Sequence, residues 1–161
     1  MQYWFIVNIP KLIISLTLCY FVAFAGSLVT LPSISTWYET LNKPLFSPPN
    51  FIFGPVWTIL YTFIGVSMYI VWSKKVMNKK IISALKIFVL QLILNFLWSL
   101  VFFGYHLLEL ALITIIILWI AVFSTIIAFK KVSKTAAYIL IPYIVWVSFA
   151  ALLNFYIVLL N

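Results

Sequence analysis

Apolar residues gather into long runs along this chain, and polar residues fall in the gaps between them. The runs occupy approximately 12–31, 51–73, 81–103, 107–129 and 136–159. A helix rises about 1.5 Å per residue, so some 20 residues cross roughly 30 Å of hydrocarbon, and each run is long enough. Membrane-spanning strands would show about ten residues of strict alternation, a pattern these runs lack. The pattern predicts an all-α membrane protein, a five transmembrane-helix bundle built as one domain from residues 1–161. Little chain remains outside the bilayer, so function must sit between helices or in the loops.

The longest gap follows the first run. Pro44, Pro48, Pro49 and Pro55 exclude a continuous helix there, because each fixes φ, removes an N–H donor and restricts the residue before it. The expectation is a proline-rich lid loop between helices 1 and 2, with Pro32 ending helix 1 and Gly54-Pro55 opening helix 2. Trp57, Tyr61, Gly65, Met68 and Trp72 then share one helical stripe. A stiff loop laid over an aromatic face suggests a lidded pocket for a flat ligand. Trp57 and Tyr61 can serve either that pocket or ordinary packing.

Polar residues inside the later runs add to the picture. Gln91, Asn95, Trp98, Ser99 and Phe102 lie on one face of the third span. Amides in hydrocarbon are costly unless partnered, so these either join helices or line a site that needs both stacking surfaces and a donor-acceptor group. In the fifth span Pro142 predicts a kink, and Trp146, Ala150 and Asn154 recur every four residues. The fourth span, rich in Ile and Leu with Trp119 as its one large polar-tipped side chain, reads as lipid-facing scaffold. His106 reads as an interfacial residue and Glu109 as an anion in the first turn of a helix. Tyr3, Trp4 and Phe5 suit a segment at the membrane interface.

Composition and charge narrow the class. With 66% hydrophobic residues, 7% charged residues and a mean hydropathy of +1.23, the chain lacks the polar residues to cover a soluble surface. All ten cations are lysines, and every one except Lys43 falls on one side of a five-span arrangement. By the positive-inside rule the N-terminus is expected in the cytoplasm and the loop around 33–50 outside. The basic side is expected to meet anionic lipid head groups, with no nucleic acid partner. Cys19 is the sole cysteine, which excludes an intrachain disulfide. No second His or Cys stands at ligand spacing from His106, so no metal site is expected.

Several motifs carry a resemblance. Trp37-Tyr38, Lys43-Pro44, Ser47-Pro48-Pro49 and Phe53-Gly54-Pro55-Val56-Trp57-Thr58 with Leu60-Tyr61 resemble the opening of the translocator protein family, the TspO/MBR tryptophan-rich sensory proteins once called peripheral benzodiazepine receptors. Gln91-x-x-x-Asn95-x-x-Trp98-Ser99-x-x-Phe102-Phe103 and Pro142-Tyr143-x-x-Trp146-x-x-Phe149-Ala150-x-x-Leu153-Asn154 are similar to that family's third- and fifth-helix motifs. The resemblance covers residues 30–156. It implies a five-helix bundle, often a homodimer, with a pocket open toward the loop between helices 1 and 2. It further implies binding of tetrapyrroles such as protoporphyrin IX, of benzodiazepine-type ligands and, in animals, of cholesterol. Carried over by motif, the pocket would include Tyr38, Trp57, Asn95, Trp98, Ser99, Phe102, Trp146 and Ala150, to which the helical stripe adds Tyr61. Tyr156 is followed by Ile157-Val158-Leu159-Leu160-Asn161 without the cation of the animal cholesterol motif, and the likeness leans toward a member from a bacterial cell membrane.

Three functions follow as expectations. The first is a receptor or binding protein that holds a protoporphyrin IX-like tetrapyrrole non-covalently through ring faces and amides, without iron ligation, and regulates its level or a stress response. The second, implied by the resemblance, is light- and oxygen-dependent porphyrin breakdown, with Trp57 and Trp146 as candidate catalytic residues. The third is transport of small lipophilic molecules. Transport gains little from the spans, which carry no ionisable residue at mid-membrane for coupling. No nucleophile–base pair or carboxylate dyad supports hydrolytic or transfer chemistry.

Overall fold

A computed structural model describes residues 8–74 and 77–161. The interfacial reading of Tyr3, Trp4 and Phe5 and the placement of Lys75 lie outside the described residues. Five helical segments are long and apolar enough to span a membrane. The first is α1 (Ile9–Ile34), which opens with the Asn8 side chain accepting from the Lys11 N–H at 3.1 Å. After the short helix α2 (Trp37–Thr40), a 3₁₀ turn over Asn50–Ile52 leads into α3 (Phe53–Trp72). Next come α4 (Lys79–Ser99), capped by Asn78, and α5 (Leu108–Lys130). The fifth span is made of α6 (Lys134–Ile139) and α7 (Ile141–Leu160). The helices close a ring in which α1 touches α3 and α4, α5 lies between α4 and α7, and α6 and α7 return to α3.

Three local features depart from the sequence expectation. Pro32 does not end α1, which continues to Ile34. A proline deletes one helical hydrogen bond, and tertiary contact holds the next residues in place: the Ser33 hydroxyl donates to the Phe103 carbonyl at 2.5 Å. The fifth span, expected to kink at Pro142, is interrupted two residues earlier at Leu140, and Pro142 falls in the first turn of α7, where a missing N–H is tolerated. The fourth span is not merely lipid-facing scaffold. Ala111, Thr114, Ile115, Leu118, Ala121, Val122, Thr125 and Phe129 of α5 are buried against its neighbours, and Trp119 Nε1 donates to Ser148 of α7 at 2.8 Å. In an Ile/Leu-rich helix hydropathy gives little contrast between lipid and protein, and the buried face is marked instead by the small and hydroxyl residues Ala111, Thr114, Ala121 and Thr125 at helical spacing.

Two further features shape the interior. The last turn of α4 widens into a π-helical segment over Leu100–Gly104, with the Tyr105 N–H reaching the Leu100 carbonyl at 2.9 Å. The widened turn lets the consecutive side chains Phe102 and Phe103 both be buried. On α3, Gly65 allows a close crossing with α1, since a Cβ there would lie 3.2 Å from Leu16 Cα and 3.3 Å from the Ser15 carbonyl oxygen. On the side of this crossing toward the segment 35–52, which joins α1 to α3, the helices α1, α3 and α4 enclose an open space.

Candidate ligand-binding site

The space between α1, α3 and α4 is a cavity of about 480 Å³. From α3 come Phe53, Gly54, Trp57, Thr58 and Tyr61, and from the α4 side Asn95, Trp98, Ser99 and Phe103. The α1 wall is built by Tyr20, Ala23, Phe24, Gly26, Ser27, Thr30, Leu31 and Ile34. No α1 residue was expected in the site. The signal available was the run of small and hydroxyl residues Ala23, Gly26, Ser27 and Thr30 at helical spacing in an otherwise bulky span, the composition of a helix face that leaves room.

The expected site residues divide between two spaces. Trp57, Tyr61, Asn95, Trp98 and Ser99 line the large cavity. Tyr38, Phe102, Trp146 and Ala150 instead line a constriction of about 20 Å³ under the segment 35–52, toward α7. Trp98, Phe53 and Phe103 line both and so form the partition. Trp98 is fixed in that role: its ring stacks on Phe102 with centroids 5.6 Å apart, and its Nε1 donates to Asn154 Oδ1 at 3.3 Å. Asn154 in turn donates to the Leu108 carbonyl at 3.1 Å, which makes this α7 amide a brace for the partition.

Asn95 sits in a buried relay across three helices. Tyr61 Oη donates to Asn95 Oδ1 at 2.7 Å, Asn95 Nδ2 donates to Tyr143 Oη at 2.8 Å, and Tyr143 Oη donates to Gln91 Oε1 at 2.9 Å. Asn95, Tyr143 and Gln91 are each 1% exposed. The two readings of the third-span amides therefore meet in one residue, because Asn95 both joins helices and lines the cavity. Tyr143, the hydroxyl that links the two amides, was a motif residue without an assigned role.

The segment 35–52, between α1 and α3, packs over the partition. Tyr38 is 1% exposed, with its ring against Phe53, Phe102 and Phe103 at centroid distances of 6.1, 6.2 and 5.8 Å. Burial raises its phenol above the ordinary value of 10, opposed by the Ser47 hydroxyl 3.4 Å away. Lys43 Nζ donates to the Tyr38 carbonyl at 2.9 Å and lies 4.5 Å from the ring centroid, so this cation is turned onto the segment itself rather than into the large cavity. Trp37 stacks on His106 with centroids 4.0 Å apart, and His106 adopts φ 59° at the turn leaving the π-helical segment. The Asn42 N–H donates to Asn161 Oδ1 and Asn161 Nδ2 donates back to the Asn42 carbonyl, both at 3.0 Å.

Fold and cavity define an integral membrane protein of five spans with an aromatic-walled space in one half of the bundle. The chain belongs to the TspO/MBR family, whose sequence profile matches residues 15–160. It is 46% identical to the tryptophan-rich protein TspO of Archaeoglobus fulgidus over 154 residues, which are 96% of this chain and 99% of that protein. The human translocator protein is 36% identical over 120 residues, 74% of this chain and 71% of its own. The tryptophan-rich sensory protein of Cereibacter sphaeroides is 34% identical over 125 residues, covering 78% and 77% respectively.

Proposed function

We propose that this protein is a membrane receptor for flat, lipophilic ligands of the tetrapyrrole type, protoporphyrin IX-like, with benzodiazepine-type molecules as synthetic occupants, and that it regulates the level of the ligand it holds. The observation that carries the reading is the 480 Å³ cavity, within the roughly 300–1,000 Å³ typical of small-molecule sites, with two indoles on a wall of apolar and hydroxyl side chains and the Tyr61–Asn95 pair as its amide end. Ring faces give a macrocycle area to stack on, and the hydroxyl and amide orient it. With Lys11 bonded to the end of α3 at the Trp72 carbonyl, the lysine-rich end of the bundle is taken as cytoplasmic, in a bacterial-type cell membrane.

The test is a titration of the detergent-solubilised protein with protoporphyrin IX in the dark, read by tryptophan fluorescence quenching. Saturable quenching that weakens about tenfold or more in Trp57→Ala and in Asn95→Ala is the expected result, the scale of losing a stacking face or leaving a buried partner unpaired. Absence of saturable quenching overturns the reading. A light-dependent porphyrin-degrading role has one observation in its favour: Trp57 stands on the cavity wall, whereas Trp146 borders only the constriction. Loss of the porphyrin spectrum under light, abolished in Trp57→Phe while dark binding persists, is its expected signature.

A further inference from the structure

The relay behind the cavity ends on an imbalance. Tyr61, Asn95 and Tyr143 each have partners, but Gln91 Nε2 is buried with none among the described residues. All hydrogens in the chain run one way, from Tyr61 through Asn95 and Tyr143 to Gln91 Oε1. In this sense the Tyr61 O–H is spent inward, and the Tyr61 oxygen keeps its acceptor capacity for the cavity.

The same heavy atoms support the opposite sense. Turning both amides over would let Gln91 Nε2 donate to Tyr143, Tyr143 donate to Asn95 Oδ1 and Asn95 Nδ2 donate to Tyr61. That arrangement uses the orphaned Gln91 donor and leaves a carbonyl oxygen under-satisfied instead, a lesser penalty for a buried group. It also frees the Tyr61 O–H as a donor at the cavity wall. Each sense keeps three hydrogen bonds and leaves one Gln91 atom unpaired, so neither dominates through bond count.

We infer that the Gln91–Tyr143–Asn95–Tyr61 relay is a reversible polarity element: the cavity accepts aromatic ligands carrying either a ring N–H donor or a ring nitrogen acceptor, and Gln91 sets the preference between them without touching the ligand. The inference rests on the cavity being a ligand site. Gln91 does not line the cavity, so a change of selectivity caused there has to pass through the relay.

The test uses three tricyclic probes of similar size: carbazole, which donates from its N–H; acridine, neutral at pH 8, which accepts at its nitrogen; and anthracene, which does neither. Wild-type protein is expected to bind carbazole and acridine each about threefold to tenfold tighter than anthracene, the gain one net hydrogen bond supplies. In Gln91→Met the inward sense loses its final acceptor, and Tyr143 is satisfied only by donating to Asn95. Carbazole should then lose its advantage while acridine keeps or improves its own. Tyr61→Phe should bring all three probes to the anthracene level.

Unchanged anthracene affinity in Gln91→Met, whose side chain does not line the cavity, reports an intact cavity. If Gln91→Met does not fold, the wild-type comparison and Tyr61→Phe still decide. Wild-type protein binding all three probes equally overturns the relay and leaves the cavity standing. Wild-type protein binding none overturns the cavity reading and the relay with it. Equal weakening of carbazole and acridine in folded Gln91→Met overturns Gln91 as the selector.

Discussion

At Tyr38 the phenol is neutral when buried, and its raised pKa carries a sign that can be worked through. Ionisation is harder in the folded protein than in the opened segment. The stability this burial contributes is therefore fully present below about pH 10, the ordinary phenol value, and is lost as pH rises from there through the folded-state value. Opening of the segment 35–52, followed by iodide quenching of Trp37 and its neighbours, should set in above pH 10 in the wild type and at higher pH in Tyr38→Phe. At neutral pH that substitution removes only a 3.4 Å contact with Ser47, so its thermal midpoint should stay close to the wild type. Identical alkaline profiles would contradict the role given to this phenol.

Other residues differ in how far the sequence announced them. Asn95 and Trp98 were legible because an amide and an indole on one face of an apolar helix need partners wherever the helix goes. Which side of Trp98 each remaining residue would fall on was not legible. That division depends on the widened turn at Leu100–Gly104, which swings Phe102 and Phe103 together, and π-helical turns have no simple sequence signal.

Among the elements, α1 and α3 matter most, because their crossing at Gly65 fixes how widely they diverge around the cavity. A β-branched side chain at Gly65 meets the α1 backbone, not just flexible side-chain ends. The gain in helix propensity on leaving glycine is a few tenths of a kcal/mol for valine, whereas overpacking costs about 1–3 kcal/mol, so the steric effect wins. Gly65→Val should lower the thermal unfolding midpoint in detergent; an unchanged or raised midpoint would show that α1 can move away freely. The five spans themselves were visible in hydropathy, since length and apolarity alone report them. The break at Leu140 and the continuation of α1 past Pro32 were not, because proline marks a place where a helix can end, and tertiary contact decides whether it does.

At the scale of the whole molecule, the ring of helices is tied across one end by Asn42 and Asn161, residues 119 apart in sequence. Asn161→Ala removes both side-chain bonds to Asn42 as well as one to the Ile157 carbonyl. These groups are exposed, so global stability should fall by no more than about 1 kcal/mol. Protease cleavage within 41–49 should nonetheless accelerate while the bundle stays closed, since of the segment's ties to α7 only the Asn42 Nδ2 bond to the Leu160 carbonyl and the packing of Phe46 on Phe149 and Tyr156 remain. Equal cleavage rates would mean that the contacts of Tyr38, Lys43, Asn42 with Leu160, and Phe46 hold the segment down without Asn161.

The central claim is that a flat tetrapyrrole occupies the space between α1, α3 and α4. A bound photosensitiser oxidises the aromatic side chains nearest to it, so the most direct measurement is peptide mass spectrometry after brief illumination with substoichiometric protoporphyrin IX. The account predicts oxidation first at Trp57 and Trp98, which line the cavity, well ahead of Trp119, which lies against Ser148 on the α5–α7 side. Oxidation led by Trp119, or spread evenly over the tryptophans, would place the ligand elsewhere and contradict it.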